Sequence, residues 1–225
     1  IAEYAIGHIL GYCLKLPQHY KSNDPSDPKE QRWNNTTVRS RNFKGSTVAI
    51  LGVGNIGSEV ARLCQAMGCS MVWGYTRSSE DCSFIDKYVH SKEEACSQMA
   101  PNIDYWINVM PHTPKTQKFF DKDLFGQMKK GAVLVNAGRG SAICNDALLE
   151  ALDQNIVEYA VLDVFDEEPL PCDHIFWKHP SVLVTSHTAA ITDPNLAARV
   201  FYDNYQRWCQ DKSSVQFKLN LREGY

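Results

Sequence analysis

Three polar residues each follow a short apolar run. Arg139 lies in Val135-Asn136-Ala137-Gly138-Arg139-Gly140, Glu168 in Leu162-Asp163-Val164-Phe165-Asp166-Glu167-Glu168-Pro169-Leu170, and His187 in Val184-Thr185-Ser186-His187-Thr188-Ala189-Ala190. A guanidinium can grip planar oxygens at two points and polarise a carbonyl. An imidazole moves protons near neutral pH, and a neighbouring carboxylate orients it and favours its charged form. Singly, each has a bland reading: a surface cation, a solvated carboxylate in the acidic run 166–168, and a core histidine bonded to backbone. At the ends of neighbouring strands, the three would converge on one edge of a sheet and could handle a carbonyl or hydroxyl group there.

A second motif supplies the setting. Gly52-Val53-Gly54-Asn55-Ile56-Gly57 is a GxGxxG that follows the apolar run Thr47–Leu51 and opens a helically spaced segment. In that context the first glycine permits a tight turn, the second lets a pyrophosphate approach the backbone, and the third lets helix and strand pack closely. Free N–H groups and the helix dipole favour the anion. A plain strand-to-helix turn is the competing reading. NAD sites usually place an acidic residue about 20 residues further on, for the ribose 2′-hydroxyl. Thr76 stands nineteen residues after Gly57 here, followed by Arg77 and Ser78. With no carboxylate there to repel a 2′-phosphate and a guanidinium fork to pair with it, NADP(H) is expected over NAD(H).

These residues need a scaffold of alternating strands and helices. Apolar, β-branched runs predict strands at 47–51, 70–75, 103–109, 132–135, 159–163 and 182–184. Helical spacing predicts helices at 1–20, 55–67, 92–99, 122–128, 146–152 and 195–209. The polar, Pro-interrupted 21–31 reads as a loop, and 212–225 as an extended tail. Strands apolar throughout and alternating with helices indicate a parallel sheet covered on both faces. Right-handed crossovers make it a doubly wound α/β sheet.

Composition excludes several classes. The 225 residues are 44% hydrophobic and 22% charged, a globular balance with length for about one and a half domains. Lys and Arg number 23 against 26 Asp and Glu, for a net charge of −3, so no global positive field draws nucleic acid or an anionic membrane. The most apolar stretch, 1–16, is shorter than the ~20 residues a membrane span needs. The eight cysteines lack CxxC pairs and zinc-ligand spacing, so no metal site is expected. They read as free thiols of a reducing cytosol, none standing out as a nucleophile.

The motifs GVGNIG, MPHTPKT, LVNAGRG, LDVFDEEPL and TSHTAA together resemble the D-isomer-specific 2-hydroxyacid dehydrogenase family, over essentially the whole chain. The segment PLPCDHIFWKHPSV and the terminal REGY look most like its glyoxylate/hydroxypyruvate reductase branch, which generally prefers NADPH. The resemblance implies that Arg139 binds the substrate's carboxylate and carbonyl oxygen. It implies that His187 is the general acid/base and that Glu168 holds it. It also places Asp163 against the nicotinamide carboxamide, and Met110, Pro111, Thr116, Ala137 and Ala189 along the cofactor. His112 reads as structural rather than catalytic. Two positions depart from the family's pattern: Ser186 replaces the usual Pro, and Thr188 replaces Ile or a similar residue.

The resemblance further implies a two-domain protein. Residues 1–12 would be an interdomain helix, 13–193 the Rossmann dinucleotide-binding domain, and 194–225 a helix and tail returning to a flavodoxin-like substrate domain. Most of that second domain would lie upstream of Ile1, so this chain is expected to bind cofactor but catalyse poorly. A cytoplasmic homodimer is expected, with Trp33, Phe43 and the apolar face of 1–16 as contacts, unless those residues pack within the chain. Two alternatives stand beside a glyoxylate/hydroxypyruvate reductase. One is a family member acting on phosphoglycerate, lactate or a longer 2-oxo acid. The other is a non-catalytic NAD(P)-sensing binding module.

Overall fold

A computed structural model of the chain describes residues 1–22, 41–216 and 218. Trp33 and the terminal REGY lie outside the described residues, as do most of the polar loop and part of the tail.

Seven parallel strands form one sheet in the order β3-β2-β1-β4-β5-β6-β7. They are β1 (Thr47–Leu51), β2 (Met71–Tyr75), β3 (Lys87–Val89), β4 (Tyr105–Asn108), β5 (Ala132–Asn136), β6 (Val157–Leu162) and β7 (Val182–Val184). Both faces are buried because successive side chains alternate. Val48, Ile50, Val72, Tyr105, Ile107, Val133 and Val135 pack beneath α1 (Ala2–Cys13) and α3 (Asn55–Ala66). Ala49, Leu51, Trp73, Trp106, Leu134 and Leu162 pack on the other face. That face is covered by α4 (Lys92–Glu94) and its continuation, α5 (Lys122–Gln127) and α6 (Asn145–Asp153). Strand order reverses between β1 and β4, and ligands of doubly wound sheets bind at the carboxyl ends of the strands beside such a switch point.

Several details differ from the sequence expectation. The helix expected over 1–20 is two, α1 and α2 (Leu16–Ser22), parted at Lys15 with φ +55. Pro17 has no N–H to give the Cys13 carbonyl four residues back, and the Arg41 N–H donates to that carbonyl instead at 2.9 Å. The edge strand β3 was not expected; three residues, Lys-Tyr-Val, are too few to show a period. The helix over 92–99 opens with a Ser91/Glu94 capping box and widens into a π-type turn at Ala95–Met99. The tail begins with a 3₁₀ turn at Lys212–Ser214, capped by Asp211, rather than extended chain. Phe43 packs edge-on to Tyr105, and Ile6, Ile9 and Tyr12 of α1 are buried in the same core. These residues therefore pack within the chain, not at a free dimer surface. The last helix, α7 (Pro194–Gln210), has no buried residue and exposes Leu196, Phe201, Tyr205 and Trp208. No helix among the described residues is long and apolar enough to cross a membrane.

The two ends of the glycine motif pack closely against each other. A Cβ on Gly57 would stand 2.1 Å from the Gly52 carbonyl oxygen. Gly57→Ala should therefore force α3 off β1 and cost about 1–3 kcal/mol of stability. Thermal unfolding measures this, and an unchanged Tm would refute the constraint.

Candidate functional site

The carboxyl edge of the sheet carries two adjoining features. The first is a cleft of about 640 Å³ between the β1–α3 turn and the loop after β4. Gly52, Gly54, Asn55, Ile56 and Gly57 line it, together with Thr76 and Arg77 after β2, His90 after β3, and Met110, Pro111 and Thr116 after β4. Gly52 turns the chain with φ +96 while its N–H donates to the Tyr75 carbonyl at 3.0 Å. Gly54 caps α3 without a side-chain hydrogen bond, and nothing lies within 4 Å of where its Cβ would be. The first turn of α3 thus offers uncapped N–H groups beside open space, which suits a pyrophosphate. The donor set and the room fit a dinucleotide.

The far end of the cleft is more elaborate than Thr76 and Arg77 alone. His90 reaches Thr76 Oγ1 and the Thr76 carbonyl from Nδ1, both at 3.2 Å, and Glu80 Oε1 from Nε2 at 2.9 Å. The Glu80 carboxylate raises the His90 imidazole above its ordinary range, against partial burial and with help from the Thr76 carbonyl. Glu80 is held back by His90 and is not part of the cleft wall, and neither is Ser78.

The second feature is a hollow of about 400 Å³ lined by Phe165, Glu168, Pro169, Leu170, Trp177 and Val184–His187. His187 Nδ1 contacts Glu168 Oε2 at 2.8 Å, while Glu168 Oε1 accepts the Phe165 N–H at 2.8 Å. A carboxylate only accepts, so Nδ1 carries the proton and Nε2 is left for another oxygen. Burial alone would raise the Glu168 carboxyl, but the hydrogen bonds from His187 and Phe165 hold it below its ordinary value.

His187 is positioned by Asp163. That carboxylate is 1% exposed and accepts from the Thr185 hydroxyl, from the Thr188 N–H at 2.8 Å and from the Ala189 N–H at 2.9 Å. The Asp163 carbonyl accepts the His187 N–H at 2.8 Å. The Thr185 proton is committed to Asp163, so Tyr4 of α1 donates to Thr185 Oγ1 at 2.7 Å. Among the described residues, every donor that Asp163 holds belongs to the loop around His187.

Arg139 sits between the two features. A Cβ on Gly138 would stand 2.8 Å from the Met110 carbonyl oxygen, and one on Gly140 would stand 2.0 Å from the Phe165 backbone. Both flanking glycines are thus clasped by neighbouring main chain. The buried pair Asn108 and Asn136, at matching positions on β4 and β5, ties these loops together. Asn108 Nδ2 donates to Asn136 Oδ1 at 2.8 Å, Asn108 Oδ1 accepts the Met110 N–H at 3.1 Å, and Asn136 Nδ2 donates to the Arg139 carbonyl at 3.1 Å.

The structure therefore brings Glu168 and His187 into contact. It leaves the Arg139 guanidinium exposed and donating to its own Gly138 carbonyl at 2.7 Å, with no bond to either among the described residues. Ala137 is buried beneath this loop, its N–H on the Asn108 carbonyl at 3.0 Å. His112 Nδ1 meets Ser141 Oγ at 2.7 Å, and the Thr116 hydroxyl donates to the Pro111 carbonyl at 2.7 Å. Sequence reasoning missed Asn108, Asn136, Thr185, Tyr4 and His90. For the two asparagines a signal existed: each ends an apolar strand where an unpaired amide would be costly.

Residues 7–189 match the family described as D-isomer specific 2-hydroxyacid dehydrogenase, NAD binding domain. A glyoxylate/hydroxypyruvate reductase A of Serratia proteamaculans is 35% identical over 200 residues, which is 87% of this chain and 59% of the relative. The corresponding protein of Photorhabdus laumondii is 33% identical, covering 91% of this chain and 62% of its own length. This chain thus spans about three fifths of the length of these relatives. Among solved structures, a family protein from Aeromonas salmonicida aligns with TM-score 0.85 at 33% identity, over 97% of this chain and 67% of its own. An NADPH-dependent glyoxylate/hydroxypyruvate reductase from Sinorhizobium meliloti, solved with NADP and sulfate, aligns with TM-score 0.85 at 27% identity, over 100% of this chain and 69% of its own. The chain is a member of the D-isomer specific 2-hydroxyacid dehydrogenase family and contains its NAD-binding domain.

Proposed function

We propose that this chain is the cofactor-binding part of an NADPH-dependent reductase of small 2-oxo acids, with glyoxylate and hydroxypyruvate as the substrate class. The observation that carries the reading is the His187–Glu168 contact beside a glycine-lined cleft on the same sheet edge. The names of its relatives support the substrate class, and the NADP-bound relative supports the cofactor.

The residues divide the work by position. Gly52, Gly54, Asn55, Ile56 and Gly57 would cradle the pyrophosphate, with Thr76, Arg77 and His90 toward the ribose 2′-phosphate. Met110, Pro111, Thr116 and Ala137 would run along the remainder. When bound, NADPH would supply the hydride that reduces the 2-oxo carbon. Arg139, swung away from the Gly138 carbonyl, would grip the substrate's carboxylate and carbonyl oxygen. His187 would give the proton on Nε2 to that oxygen and recover it in the reverse direction. Glu168 fixes the ring through Nδ1. In this chain Asp163 would act on the site through Ala189 and the rest of the His187 loop, since its carboxylate already takes three protein donors. The division at 12/13 and 193/194 belongs to the same proposal: α7, with its unburied aromatic side chains, would return to a substrate domain. A cytoplasmic homodimer is the accompanying assembly.

Three measurements on the complete protein test this. His187→Ala should lower kcat by about 10²–10⁴ and leave the dissociation constant for NADPH unchanged; undiminished turnover would remove His187 from the chemistry. Arg77→Ala should cut the NADPH-over-NADH preference in kcat/KM by about tenfold or more, as expected for a charged hydrogen bond. A variant that keeps the parent preference would take Arg77 out of the cofactor site. The third is an NMR titration of Glu168. Its carboxyl is lowered from 4.5, so the stabilisation from its contact with His187 is full above that value. It is lost as the pH falls through the lowered one. The midpoint should lie below 4.5, and one at or above it would contradict the pairing.

A further inference from the structure

We propose that Cys64 and Cys69 form a reversible oxidation site, a dithiol that small hydroperoxides close into a disulfide. The pair is assembled by the way α3 ends. Gly68 adopts φ +79, its N–H donates to the Gln65 carbonyl at 2.9 Å, and the Cys69 N–H donates to the Cys64 carbonyl at 3.2 Å. These nested bonds are the helix ending in which the residues at either side of the turn meet side chain to side chain, usually through an apolar contact. In this chain both of those residues are cysteine. The two thiols lie near enough for each to shift the other's ionisation. Disulfides span Cα separations of about 4.4–6.8 Å, the range that a direct N–H···O=C bond between two residues imposes.

The two thiols are unequal. Cys64 is fully buried, and the neighbouring Cys69 thiol, together with burial, pushes its thiol up. Cys69 is partly exposed, with Ser46 Oγ 3.8 Å from its sulfur. The neighbouring Cys64 thiol lowers the Cys69 thiol, against burial and the Asp104 charge and with help from Ser46. The thiolate is the nucleophile, so Cys69 reacts first. Its sulfur attacks one oxygen of the hydroperoxide, the O–O bond breaks, and the departing oxygen leaves as an alcohol, or as water from hydrogen peroxide. Cys69 is then a sulfenic acid. The Cys64 sulfur attacks the Cys69 sulfur, the S–O bond breaks, and the Cys64 proton leaves with the hydroxyl as water. Two thiols and one hydroperoxide thus yield one disulfide, one alcohol and one water. A small thiol reductant reverses it through a mixed disulfide. The reductase chemistry proposed above uses neither sulfur.

The test is exposure of the folded, reduced chain to hydrogen peroxide at near-stoichiometric concentration, alkylation under denaturing conditions, and peptide mapping by mass spectrometry. Cys64 and Cys69 should escape alkylation together, joined with the loss of two hydrogens, and dithiothreitol should restore both. In Cys64→Ala, Cys69 should instead accumulate as a sulfenic acid trapped by dimedone. Full alkylation of both residues under peroxide that oxidises the exposed Cys172 and Cys209 would overturn the proposal. A disulfide joining Cys69 to any other cysteine would overturn it as well.

Discussion

A buried carboxylate governs the arrangement of this sheet edge. Asp163 is almost wholly withdrawn from water and among the described residues no cation pairs with it; its donors there are a hydroxyl and two main-chain N–H groups. A charge so placed is tolerated only if its oxygens are well supplied with hydrogen bonds. The segment after β7 must therefore curl back over β6, and that curl holds His187 at φ +55 facing Glu168. The His187 imidazole owes its place to the hydrogen-bonding needs of a neighbouring carboxylate, and Tyr4 extends the same hydrogen-bond chain to the first helix.

The main-chain ladder does related work. Beyond the ends of the strands, Val109 bonds to Leu51, Ala137 to Asn108, Asp163 to Asn136 and Thr185 to Leu162. Parallel pairing thus continues into the loops, so each loop starts from a fixed height on the sheet. The Asn108–Asn136 pair stiffens this where the loops from β4 and β5 diverge.

Most of the architecture was legible because it rests on local rules. The runs Val48–Leu51, Ala132–Val135 and Tyr159–Leu162 carry no charged residue, as a sheet covered on both faces requires. The glycine motif carries its own steric logic in Gly52 and Gly57. What escaped depended on distant parts of the chain or on very short signals. Lys87–Val89 becomes a strand only because β2 is there to pair with it. The division of the first helix at Lys15 follows from Pro17, a cue present in the sequence but outweighed by apolar spacing. In the site, Glu168 and His187 could be paired from their motifs. The part played by Tyr4 could not, because Tyr4 and Thr185 stand 181 residues apart. Nor could the pairing of His90 with Glu80, since the strand that delivers His90 was itself unseen.

The glycines around Arg139 carry a consequence for how such a site can diversify. Main chain stands against both of them, so Gly138 cannot take on a side chain without displacing the loop at Met110, nor Gly140 without displacing the loop at Phe165. The geometry of this segment is common property of whatever chemistry the edge performs. Variation is left to positions whose side chains face the hollow without holding its walls apart, such as Ser186 and Trp177. A laboratory library aimed at new ligands for the hollow would find its tractable sequence space there, with the Arg139 loop serving as the fixed frame.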